Sequence, residues 1–243
     1  MTLTIPKFRF LFSLSCAVML GACAPMTVPP KAEYSVGRSR LVLPPGAWQD
    51  LGATDVALPL LPGPGATVPL QTRAVGLRGA QGELLAVLRV QTNRSGDLTR
   101  PVAWSGYCPQ QRDVIVDDAA ASSPVRADCL RFKRWASSAQ WLDKNSPELV
   151  TWLDSRQIAL KQPYSYFSYR YATEGGVLVE LDGLVDHRLL RPKTQNNEEF
   201  LTSGRPAQRW VEDLAQAARL SVGMVDGFLA IPPFPFPAPV STP

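Results

Sequence analysis

Between residues 73 and 184 the chain is written as three pairs of alternating segments, each pair broken by turn-forming residues. That pattern commits most of the chain to an antiparallel sheet. Arg73–Arg78 and Glu83–Thr92 flank Gly79-Ala80-Gln81-Gly82, whose glycines suit positive φ. In the second segment Leu84, Ala86, Leu88 and Val90 fall on one face, Arg89 and Gln91 on the other. Asp113–Val116 and Cys129–Trp135 make a second pair around the polar stretch 117–124. Tyr164–Tyr171 and Val177–Leu184 make a third, joined through Thr173-Glu174-Gly175-Gly176. A shorter strand is expected over Arg40–Leu43, ahead of Pro44-Pro45-Gly46. Residues 57–70, with Pro59, Pro62, Pro64 and Pro69, read as a long surface loop.

Two stretches carry the helical period. Ser146-Pro147-Glu148 places a cap, a first-turn proline and a first-turn acid before Leu149, Val150, Trp152 and Leu153. From Pro206 to Leu229, residues of one face recur at steps of three and four through Trp210, Leu214, Ala217, Ser221, Met224 and Phe228. The expected fold is therefore α+β: an antiparallel β-sheet of about six strands with a long C-terminal helix packed on it, over residues 36–230. The Pro-rich residues 231–243 read as a mobile extended tail. No period of 20–50 residues marks a repeat.

The N-terminus carries an address. Lys7 and Arg9 precede an apolar run, Phe10–Leu20, that is interrupted only by Ser13 and Ser15. The run is about half the length needed to cross a bilayer, which fits the core of a signal peptide over residues 1–22. It ends in Leu20-Gly21-Ala22-Cys23. This resembles the lipobox of bacterial lipoproteins. The resemblance covers the first 23 residues and implies cleavage before Cys23, with a diacylglycerol on the Cys23 thiol and three acyl chains in the full modification as the attachment to the membrane. Residues 23–35, with three prolines, then form a lipidated tether. Ala24 stands where an Asp would imply inner-membrane retention. The resemblance therefore implies the outer membrane, with the domain facing the periplasm, in preference to the inner membrane.

The cysteines sort accordingly. Cys16 leaves with the signal peptide and Cys23 takes the lipid. Cys108 and Cys129 remain as an even pair in an oxidising compartment, so a disulfide is expected. Two thiols and the one histidine, His187, are too few for a zinc site, and no cofactor motif occurs. Loss of residues 1–22 removes Lys7 and Arg9 and no acid, so the net charge of +4 falls by two. The remaining arginines are scattered, which argues against nucleic acid as a partner.

The candidate chemistry is sparse. Tyr164, Tyr166, Tyr169 and Tyr171 invite a stacking surface for a glycan or hydrophobic ligand, although aromatics also build ordinary strands. Tyr164 and Tyr166 fall on one face, with Phe167, Tyr169 and Tyr171 on the other. Asp186-His187 leaves a hydrolase as an alternative, but no Gly-x-Ser-x-Gly or Ser-x-x-Lys occurs. Asp113, Asp117, Asp118 and Asp128 match no calcium loop. Gly223 and Gly227 form a Gly-x-x-x-Gly, expected on the long helix. The leading expectation is a non-enzymatic envelope lipoprotein that acts on a protein partner, with ligand binding and hydrolysis as alternatives.

Overall fold

In the structure, a computed structural model, the described residues are 32–59, 67–94, 108–136, 139–159, 163–191, 194, 196, 198–199, 205–223 and 227–237. Cys23 and the lipobox lie outside them. Among the described residues the order of elements is β1 (Glu33–Val36), β2 (Ser39–Val42), β3 (Ala47–Pro59), β4 (Thr67–Arg78), β5 (Leu84–Asn93), β6 (Ile115–Asp118), β7 (Ala127–Lys133), α1 (Ala139–Asn145), α2 (Pro147–Ser155), β8 (Tyr164–Ala172), β9 (Leu178–Asp186), α3 (His187–Leu190), α4 (Pro206–Gly223) and β10 (Phe228–Ala230).

The strands form two sheets. Seven run in the order β3-β4-β5-β9-β8-β7-β6, antiparallel throughout. Three form a small sheet in which β1 pairs antiparallel with β2, and β10 joins β2 in parallel. The three expected hairpins are all present, as β4–β5, β6–β7 and β8–β9. The fold is α+β, but the expected six strands are too few.

The missing strands are those with the weakest alternation. β3 lies at the sheet edge and is exposed over most of its length, so burial imposes no period on its side chains. A register shift between Asp50 and Gly52 breaks what pattern there is. The expected loop over 57–70 is corrected at both ends, since 57–59 close β3 and 67–70 open β4. Val68 and Leu70 are buried, so the period of β4 already begins there, and Pro69 hides it. The Pro69 carbonyl accepts from Arg94 N at 3.0 Å. Its ring nitrogen therefore faces the end of the β4–β5 ladder, where no bond to β3 is lost.

One face of the large sheet carries Leu88, Val90, Leu181, Phe167, Phe132 and Val75, and packs against α4 and the small sheet. From α4, Trp210, Val211, Leu214 and Ala218 point inward, as the helical period requires. From the small sheet, Leu41 and Leu229 are fully buried in the same core. Burying one such side chain stabilises by about 1.5–3 kcal/mol, so this layer dominates the stability of the fold. On the other face, α1 and α2 cover one end of the sheet, where Leu149, Trp152 and Leu153 pack on Val87, Tyr166 and Leu184.

Two further expectations change. The long helix is described over Pro206–Gly223, and Phe228 and Leu229 belong to β10. Gly227 has φ +56°, and a Cβ there would lie 2.4 Å from Arg38 O, while its own carbonyl accepts from Arg40 N at 3.0 Å. Gly223 and Gly227 thus do not share a helix, and Gly227 serves the close approach of β10 to β2. The Pro-rich segment packs down over its first residues. Ile231 is buried, Trp210 Nε1 donates to Pro232 O, and Phe234 stacks between Trp48 and Trp210.

Candidate functional site

Every second residue of the central strands points to the face that α1 and α2 cover at one end. There the register sets two polar rows side by side. Thr72, Gln91, Glu180, Arg170 and Cys129 stand in one, and Arg89, Asp182, Ser168 and Arg131 in the next. The rows on either side are largely apolar, from Leu178 and Ala172 at one end to Val87 and Leu184 at the other. A charged belt therefore crosses the middle of a buried face. Asp182 is 2% exposed, Glu180 6%, and Arg89 and Arg131 7% each.

Buried charges require partners. Arg89 donates to Asp182 through Nε at 2.8 Å and Nη2 at 2.9 Å, and its Nη2 also reaches Glu148 at 3.3 Å. Burial opposes the Arg89 charge, and Asp182 with Glu180 more than offsets it, so its proton affinity rises. Arg170 Nη2 donates to Glu180 at 3.0 Å. Burial pushes the Glu180 carboxyl up, against the pull of Arg170. Gln91 Nε2 donates to Thr72 Oγ1 at 2.7 Å. The belt is largely paired within itself and holds no exposed nucleophile.

The disulfide joins Cys108 to Cys129, with Cα atoms 5.5 Å apart. Cys129 lies in the belt, so the bridge ties the chain ahead of β6 onto this face. It brings Gln111 to Arg131, whose Nη2 donates to Gln111 Oε1 at 2.8 Å. Gln111 Nε2 in turn donates to Asn145 Oδ1 in α1.

The four tyrosines do not make one stacking surface. Tyr164 and Tyr166 lie buried on the belt face, and Tyr169 is buried on the opposite one. Tyr169 donates to Asp128 at 2.9 Å while Arg219 lies over its ring, and burial with Asp128 raises its proton affinity. Tyr171 is half-buried against the α4-side core. Tyr164 reaches a cavity. Its hydroxyl donates to Leu84 O, and it lines an open cleft of about 690 Å³ with Leu51, Leu84, Arg78, Glu83 and Arg156.

His187 opens α3 beneath Trp135, ring centroids 3.9 Å apart. Ser165 Oγ is 3.4 Å from His187 Nδ1 and donates to Arg134 O at 2.9 Å. With that hydroxyl proton committed, Ser165 accepts from Nδ1–H, and the buried Nε2 has no partner. Asp186 does not complete a relay, because its carboxylate takes Arg188 N, Nε and Nη2. Of the acids weighed as cation ligands, Asp128 is held by Arg219, and Asp118 accepts from Ala120 N. No group of three metal-ligating side chains gathers among the described residues. None of the helices there is long and apolar enough to cross a membrane.

The belt was the feature that sequence reasoning missed. Its signal was present in Arg89 and Gln91 on one strand and Glu180 and Asp182 on another, with matching period and opposite charge. Pairing β5 with β9, which sets Arg89 against Asp182 at a separation of 93 residues, was the step no local pattern supplies. No family model, curated protein or solved structure matches this chain.

Proposed function

We propose that the protein is a membrane-anchored lipoprotein of the bacterial envelope, acylated at Cys23, whose domain faces the periplasm from the outer membrane and acts on a protein partner without catalysing a reaction. The observation that carries this reading is Leu20-Gly21-Ala22-Cys23 behind a positive region and an eleven-residue apolar run. The Cys108–Cys129 bridge supports it, because such bonds persist in oxidising compartments. The engagement of Asp186 by Arg188 supports a non-enzymatic role, since His187 then lacks the carboxylate that would orient it.

The test is metabolic labelling with an alkyne fatty acid, followed by membrane fractionation. The parent protein takes up label and sediments with the outer membrane, whereas Cys23→Ala does neither. A parent that carries no label, or a variant that fractionates like the parent, ends the proposal. Ligand binding is the second reading, favoured by the cleft at Tyr164, whose volume suits a small polar molecule. A glycan panel titrated against the intrinsic tryptophan fluorescence of the full chain tests it, with a saturable change as the expected result.

A further inference from the structure

β3 closes one side of the seven-stranded sheet and, with 13 residues, is its longest strand. Pro69 on β4 fixes which way the β3 backbone turns. The Pro69 carbonyl accepts from Arg94 N on the β5 side, so Ala57, opposite Pro69 in the register, turns its N–H and C=O away from β4. Alternation carries the same orientation to Asp55 and Ala53, because the register runs without a shift from Gly52 to Pro59. Thr54, Val56 and Leu58 face β4 instead. Among the described residues, no group bonds to the outward N–H or C=O of Ala53, Asp55 or Ala57. Residues 53–57 are all exposed. A row of open donors and acceptors on a sheet edge is a template for a further strand.

The open stretch has defined ends. The shift between Asp50 and Gly52, with Arg156 donating to Leu51 O at 2.8 Å, closes one, and Pro59 closes the other. Between them, Ala53-Thr54-Asp55-Val56-Ala57-Leu58 holds none of the Lys or Pro residues that blunt an exposed edge. Val56 is 45% exposed there. The edge makes no demand for a charged partner. Asp55 accepts from Arg94 at 2.9 Å and from Gln71 at 3.1 Å, and Asp50 accepts from Arg73 at 2.8 Å. The opposite edge of the sheet, β6, has four residues and ends in Asp117-Asp118, so it would bring acids against the acids of β3. An inverted copy of β3 supplies matching donors and acceptors, and it closes the contact as a two-fold pair.

The side chains select one register. An axis at Asp55 sets two carboxylates directly opposite each other, which is unfavourable. An axis at Ala57 sets Asp55 against Pro59, which has no N–H to give. An axis at Thr54 runs Ala57 into the bulge at Leu51, whose carbonyl Arg156 already holds. An axis at Val56 avoids all three. Asp55 and Ala57 of each copy then exchange both bonds with Ala57 and Asp55 of the other, and Ala53 N–H meets the Pro59 carbonyl. Val56 faces Val56, and Thr54 faces Leu58, as favourable cross-strand pairs. We propose that β3 pairs antiparallel with β3 of a second copy of this chain, about a two-fold axis at Val56, and so joins two seven-stranded sheets edge to edge. The axis stands perpendicular to the sheet, so β1 and α4 of both copies lie on one side. That arrangement suits two chains anchored in one membrane and does not depend on the anchoring. A strand edge buries less than the ~800 Å² per partner of a standard interface, so the pair is reversible.

Sedimentation equilibrium of the full chain in detergent, from about 10 μM to about 1 mM, is expected to show a reversible dimer. Over the upper part of that range the amides of Asp55 and Ala57 should exchange with solvent more slowly as concentration rises. Those of Thr54 and Val56, bonded to β4, should be protected throughout. Val56→Cys reports the register. Its Cα and that of its copy would lie about 4.5 Å apart, within disulfide reach, so mild oxidation is expected to join them. Ala53→Cys would stand about 20 Å from its copy along the strand and should not cross-link. The parent, with its own cysteines, is the blank. Val56→Lys sets two ammonium groups face to face and is expected to weaken the dimer by about 10-fold. A chain that stays monomeric at the top of the range overturns the proposal. So does cross-linking at position 53 equal to that at 56, or a Val56→Lys variant that associates as the parent does.

Discussion

Arg89 and Asp182 stand directly opposite each other on β5 and β9 and meet through two parallel hydrogen bonds of 2.8 and 2.9 Å. Both are almost wholly buried. Removal of one partner strands the other charge in a low-dielectric layer. Asp182→Ala or Arg89→Ala is therefore expected to cost about 3–5 kcal/mol. The pair replaced together, as Arg89→Met with Asp182→Leu, should recover most of that loss. Urea denaturation of the four proteins checks both statements, and a double variant as unstable as the singles would contradict them.

The disulfide spans a sequence separation of 21 residues. Closing a loop of that size stabilises by about 3 kcal/mol in the chain-entropy model. Cys108→Ser with Cys129→Ser should lose about this much. It should also free Gln111 from Arg131, visible as faster amide hydrogen exchange over 108–112. Equal urea midpoints for the oxidised and serine forms would remove the bridge from the account of stability.

Gly183 sits opposite Phe167 in the β8–β9 register, and the ring packs over the missing side chain. A Cβ there would fall 2.3 Å from Val87 O and about 3.0 Å from the ring. The carbonyl belongs to the sheet and cannot yield as a side chain would. Gly183→Ala is expected to destabilise by about 1–3 kcal/mol, read from the thermal midpoint.

Gln157 ends α2 with φ +55°, and Ile158 N returns to Leu153 O at 3.0 Å. This is the left-handed close of a helix, where glycine is the usual residue. Gln157→Gly should stabilise by about 0.5–1 kcal/mol, since it removes the steric cost of a side chain at positive φ. A lower thermal midpoint would contradict this.

Burial, with Arg191 adding to it, holds the His187 imidazole below its ordinary value, against the opposing pull of Asp186. The unfolded chain therefore binds this proton more readily than the folded one. The stability that His187 contributes is fully present above about pH 6.5 and is lost as the pH falls through the folded value. His187→Gln should flatten the urea-midpoint profile over that window and leave it unchanged at pH 8. As His187 is the one histidine in the chain, its imidazole resonance reports the titration directly.

The three hairpins were legible because each is local: the alternation and its turn lie within about thirty residues. The α2 start was legible for the same reason, through Ser146-Pro147-Glu148, although the Ser146 side chain makes no cap bond. The α4 face was also readable, but not its end. In sequence, residues 224–229 continue the helical period, whereas Phe228–Ala230 pair with β2.

The sequence by itself determined the class of fold, the hairpins, the helix face and the pairing of the last two cysteines, because periodicity and residue chemistry act within a segment. Tertiary structure decided what lies between segments. It made β3 an edge strand, wedged Phe234 between Trp48 and Trp210, divided the tyrosines between two faces, and set arginines against acids across β4, β5, β9, β8 and β7. A side chain's period says that it turns away from one core. Whether it then meets water or a partner is settled by which strand lies beside it, and that contact is made between residues far apart in the chain.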